Sequence, residues 1–77
     1  MTADPGGTAD TAHVGRLLRE ARLAAGLTQA GLAARTEVPQ PNISAYESGR
    51  RSPTVRTLVR LLGACDARLA WEPSRAP

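Results

Sequence analysis

Apolar residues recur at three- and four-residue steps at Val14, Leu17, Leu18, Ala21 and Ala25, the spacing of one helical face. Gly26 stops that helix. A second helix opens at Thr28, a good N-cap, turns Leu32 and Ala33 inward and ends near Thr36. Glu37 to Pro39 turns the chain. A third helix follows, with Pro41 tolerated in a first turn whose amides lack intrahelical partners. The residue before a proline resists the helical region, so Gln40 is itself a candidate cap. This helix runs to about Ser48, and Gly49 closes it. Ser52-Pro53 reads as a cap with proline at the first position of a fourth helix, whose inner stripe is Val55, Leu58, Leu62 and Cys65. Beyond it Leu69 and Trp71 alternate with Arg68, Ala70 and Glu72, as in a short strand. Residues 1–12, rich in Gly, Pro, Thr and Asp, read as a disordered tail. The organisation is therefore a tail over 1–12, a helical domain over 13–66, and a C-terminal tail over 67–77 that is a candidate dimerisation strand.

Size and charge narrow the tasks open to this chain. Its 77 residues bury only about 60% of their unfolded surface, so a substrate cleft with supporting residues is hard to build. Ten Arg and no Lys against seven Asp and Glu give a net +3. From Val14 to Asp66 eight Arg face four acids, and Arg50, Arg51, Arg56 and Arg60 lie within eleven residues. Such a segment suits a polyanion, and Arg forks onto phosphate; an Arg-rich solvated face is the plainer reading. Cys65 stands alone, which excludes an intrachain disulfide and a cysteine cluster for zinc. His13 and Cys65 make no ligand set, and no Ser, His and acid arrangement supports nucleophilic chemistry. Neither a metal nor a cofactor is expected, nor an enzyme. With no leader and no span of ~20 apolar residues, a cytoplasmic location away from membranes is expected.

The run from Thr28 to Gly49, TQAGLAARTEVPQPNISAYESG, carries the functional signal. Two short helices joined by three residues must cross steeply and pack closely. Ala33 supplies the small residue at the crossing, and Leu32, Val38, Ile43 and Tyr46 share one interior. Gln40, Pro41, Asn42, Ser44, Ala45 and Ser48 remain outside. These side chains are short, mostly polar and free of acids, so the face fits between phosphate ridges. Leu27-Thr28-Gln29, Leu32-Ala33, Val38, Ile43-Ser44, Glu47, Gly49 and Arg50-Arg51-Ser52-Pro53 together resemble the lambda-repressor and Cro-like (xenobiotic-response-element) helix-turn-helix family, over about Val14 to Asp66. The resemblance implies an all-α, compact four- to five-helix bundle, with the short C-terminal strand as an addition. It also implies sequence-specific binding of double-stranded DNA.

Residue roles follow from the same resemblance. Gln40, Pro41, Ser44 and Ala45 fall at base-facing positions. Gln pairs with adenine N6 and N7, while Pro41 and Ala45 touch a thymine methyl. Thr28, Gln29, Asn42, Ser48, Arg50 and Arg51 fall at positions that hold the DNA backbone. Such contacts orient the protein without reading sequence. Glu47 would repel phosphate if it faced outward; the family pairs this acid with an Arg on the first helix, here Arg22, in an ion pair that is structural. Three residues depart from good local chemistry. Glu37 replaces the family's turn Gly, Pro39 replaces its Ser cap, and Gly31 interrupts the second helix.

One domain reads few base pairs, so the resemblance implies a homodimeric transcriptional repressor. Val59, Leu69 and Trp71 are candidate dimer contacts, although Trp71 serves equally as a lid over the bundle. An antitoxin that represses its own operon and binds a toxin, or a protein-interaction module on the same scaffold, are the alternatives.

Overall fold

The computed structural model describes residues 8–67. Over them the chain forms α1 (Thr8–Ala24), α2 (Gln29–Thr36), α3 (Gln40–Glu47) and α4 (Val55–Ala64). There is no strand among the described residues. The alternation at Leu69 and Trp71 lies outside them. α1 begins five residues before His13, so 8–12 belong to the helix rather than to a tail. That stretch lacks an apolar period but has a tertiary partner: Ala12 sits beside Gly49, where an added Cβ would come 3.3 Å from the Ala12 Cα.

Each helix ends where the chain turns left-handed. Gly26 has φ 74°; its amide donates to the Leu23 carbonyl at 3.0 Å, and the Leu27 amide donates to the Arg22 carbonyl at 3.1 Å. This is the Schellman arrangement. It recurs after α3 at Gly49 (φ 81°) and after α4 at Asp66 (φ 60°), with Arg50 donating back to Ala45 and Ala67 to Leu62, both at 2.9 Å. α2 closes at Glu37, with φ 64° and ψ 17°. Glutamate therefore occupies a backbone region in which its Cβ is strained.

The starts are less uniform. The Thr28 hydroxyl oxygen accepts the Gly31 amide at 2.9 Å. A Cβ on Gly31 would lie 3.2 Å from that oxygen, so the glycine leaves room for the cap. α3 starts after Pro39, which offers no side-chain cap. α4 is capped by Thr54, whose oxygen accepts the Thr57 amide at 3.1 Å, and not by Ser52. Leu58, Leu62 and Cys65 lie inside as expected, but the later start makes Val55 the first residue of the helix. Val55, expected inside, is 69% exposed, while Leu61, which the expected stripe omitted, is fully buried.

Leu18, Leu32, Ile43 and Leu61, one from each helix, are fully buried, with Tyr46, Leu62 and Cys65 beside them. Each such aliphatic side chain contributes about 1.5–3 kcal/mol. α1 and α2 each pack on both α3 and α4, so α3 is held from two sides. On α1 the inner face is Gly15, Leu18 and Arg22; Leu17 and Ala25, expected there, are exposed. Ala33 lies against the core as expected, but the tightest approach is elsewhere. An added Cβ on Gly15 would fall 2.4 Å from the Tyr46 carbonyl oxygen and 2.7 Å from that of Glu47. Both are backbone atoms, so only hydrogen fits and α1 lies directly on the last turn of α3.

Thermal melts test this account. Glu37→Gly relieves the left-handed strain and raises stability by about 1 kcal/mol, or roughly 4–8 °C in Tm for a chain of this size. Pro39→Ser restores a cap and also raises Tm. Lowered values for both would show a turn built differently. Gly15→Ala lowers stability by about 1–3 kcal/mol through overpacking, although the same change inside an exposed helix ordinarily adds about 1 kcal/mol.

Candidate nucleic-acid interface

α2 and α3 are joined by a three-residue turn, 37–39, in which Val38 packs against the core. The Thr36 hydroxyl donates to the Leu32 carbonyl at 2.8 Å and accepts the Val38 amide at 3.2 Å. This buried threonine closes α2 and fixes the turn's direction. Its role was not visible in the apolar pattern, because Thr36 continues the inward stripe of Leu32 and Ala33 but is itself polar.

At about 100° per residue, Gln40, Ser44 and Ser48 form one outward stripe of α3, with Pro41 beside it. Gln40, Pro41 and Ser48 are exposed and Ser44 is half-buried. Asn42 is half-buried, further round the helix. Ala45 departs from expectation: it is buried, at 5% exposure, and cannot present its methyl to a base. The loop after α3 folds back on this residue. The amides of Arg50 and Arg51 donate to its carbonyl at 2.9 and 3.2 Å, and the Ser48 hydroxyl donates to the same oxygen at 3.1 Å. The outward sector therefore ends at Pro41.

The flanking residues divide into held and free. Thr28 is exposed with its oxygen engaged in the cap. Gln29 donates from its amide nitrogen to Glu47 Oε1 at 3.1 Å. Arg50 donates from Nε to the Ser48 hydroxyl at 3.0 Å, which holds its guanidinium beside the end of α3. Arg51 is exposed.

Glu47 turns inward, as its sign requires. Arg22 donates from Nε to Oε2 at 2.7 Å and from the second terminal nitrogen to Oε1 at 2.9 Å. Its remaining nitrogen donates to the Leu27 carbonyl at 2.9 Å. The two side chains are 10% and 5% exposed. One guanidinium thus ties α1 to α3 and to the loop before α2. Burial pushes the Glu47 carboxyl upward, but hydrogen bonds from Arg22 and Gln29 outweigh it and hold the group below its ordinary value. The bond to Glu47 likewise raises Arg22, against burial. Burial pushes the Cys65 thiol up, in keeping with a small apolar core residue.

Beside this pair lies a cleft of about 250 Å³ lined by Arg19, Arg22, Gln29, Ser44, Glu47 and Ser48. Arg19 was absent from the sequence expectations, although its three-residue spacing from Arg22 places both on one side of α1. Among the described residues no three of His, Cys, Asp and Glu gather as a metal site, and no helix is long and apolar enough to cross a membrane.

The ion pair makes stability acid-sensitive. A carboxyl lowered on folding contributes fully above its ordinary value of 4.5, and the contribution declines as pH falls through the lowered folded value. Denaturant melts between about pH 5 and 3 show this loss, and Glu47→Gln flattens that limb. Arg22→Met strands a buried carboxylate and lowers stability by about 3–5 kcal/mol at neutral pH. Equal pH slopes for the native chain and Glu47→Gln would refute the pairing.

No curated protein matches the chain significantly. A helix-turn-helix family model matches residues 18–71, which takes in the ion pair, the turn and the outward stripe. The chain belongs to the lambda-repressor-like (xenobiotic-response-element) family of helix-turn-helix DNA-binding domains.

Proposed function

We propose that this protein is a transcriptional repressor that binds double-stranded DNA as a homodimer, each copy laying α3 in a major groove. The outward stripe of α3 carries this reading: Gln40, Pro41 and Ser44 are short and acid-free, and the only acid of that helix is withdrawn onto Arg22. A helix about 10–12 Å across fits a groove about 12 Å wide. Gln40 reads an adenine, Pro41 touches a thymine methyl and Ser44 reaches a base edge. Thr28, Gln29, Asn42, Ser48, Arg50 and Arg51 hold the phosphates on either side. Gln29 does so with the amide hydrogen that Glu47 leaves unused.

Dimerisation has support in α4. Val55 and Val59 are 69% and 49% exposed and stand four residues apart, on one face. They form an apolar patch continuous in sequence with Arg56 and Arg60.

Selection from randomised duplexes tests the proposal. The expected product is a site with twofold symmetry and half-site centres about 34 Å apart. Gln40→Ala weakens binding to it by about 1–3 kcal/mol and relaxes the preference at one position. Arg51→Ala weakens all duplexes alike and lowers the log–log salt slope by about 0.9. No enriched sequence, with a flat salt response, would assign the α3 face to a protein partner instead.

A further inference from the structure

Resting on that DNA-binding reading, we infer that Arg19 is a further DNA-contacting residue, seating one backbone phosphate in the cleft between α1 and the α2–α3 unit. Three observations lead there. The first is room. A cleft of about 250 Å³ holds a group of several heavy atoms, since a single water occupies about 30 Å³.

The second is charge. Its lining holds Arg19, Arg22 and Glu47, and the latter two neutralise each other through a two-pronged pair. Arg19 is exposed; its charge acts on Glu47 from a distance, but it has neither a hydrogen bond nor an ion pair among the described residues. Its five N–H donors remain for an incoming oxyanion, and Gln29 keeps one amide hydrogen beside it. Glu47, the group that would repel an anion, accepts from Arg22 and Gln29 on its two oxygens.

The third is position. Ser44 and Ser48 belong both to the cleft lining and to the outward stripe of α3. A duplex that receives that stripe in its groove brings a phosphate wall alongside it, where the cleft opens. The same oxyanion chemistry exists in free phosphate. A lone exposed arginine holds a free ion weakly, however, whereas a phosphodiester is delivered by the rest of the interface.

The test compares the native chain, Arg19→Gln and Arg19→Lys on a selected duplex and on a mixed-sequence duplex across a salt series. Arg19→Gln weakens both duplexes in the same ratio and lowers the log–log slope by about 0.9. Arg19→Lys restores the slope, and the Tm of each free variant stays at the native value. An unchanged slope in Arg19→Gln, beside a steep native one, overturns the seat and leaves the DNA-binding reading intact. Absence of salt-dependent binding by the native chain overturns both. A Tm raised by inorganic phosphate in the native chain but not in Arg19→Gln makes the cleft a free-anion site and overturns the backbone assignment.

Discussion

A carboxylate on the helix proposed to meet DNA is a problem in electrostatics, and Arg22 resolves it by a contact that also builds the fold. Glu47 lies one residue from the end of the outward stripe, so a small rotation of α3 would turn its charge to solvent. The bidentate pair with Arg22 fixes that rotation, because a planar fork accepts a carboxylate in few orientations. The bond from the same guanidinium to the Leu27 carbonyl sets where α2 begins. Gln29, at the first residue of α2, closes the circuit onto Glu47. Orientation of α3, placement of α2 and masking of the acid are one interaction. Replacing both partners by apolar residues is often neutral in energy, so the value of the pair here lies in geometry rather than in stability.

Gly15 supplies the complementary constraint. Arg22 sets the angle of α3 about its own axis, and Gly15 sets how near α1 lies to it. The carbonyls of Tyr46 and Glu47 approach to a distance that only hydrogen tolerates, so α1 lies directly on the C-terminal turn of α3. That closeness keeps Arg22, two turns further along α1, within reach of Glu47.

Much of this was legible in the sequence, because the signals are local and redundant. The Thr28 cap, the Gly26 and Gly49 stops and the three-residue turn each rest on residue types with few alternative uses at those positions, and the Arg22–Glu47 pair followed from the family resemblance. What escaped rests on tertiary detail. Gly15 looks like any glycine until its neighbours are known. Ala45 stands just past the outward stripe by helical phase, yet it is buried, and nothing in an alanine signals that. Thr54 and Ser52 are equivalent caps on paper, and capping by Thr54 leaves Val55 at the open first position of α4 while Leu58, Leu62 and Cys65 stay inside with Leu61. The apolar period around α1 gave no sign of Arg22, which sits on the inner face with Gly15 and Leu18; the family resemblance alone pointed to it.

Glu37 has a reach beyond the turn itself. Its left-handed backbone lies in the exposed turn that leads into α3, and strain there raises the share of chains that are unfolded at any moment. A change of one or two kcal/mol alters that share by roughly five- to thirtyfold, and the unfolded share is what cellular proteases consume. Residue 37 is therefore a position where one substitution changes the folded share of the chain without replacing any side chain of the outward stripe.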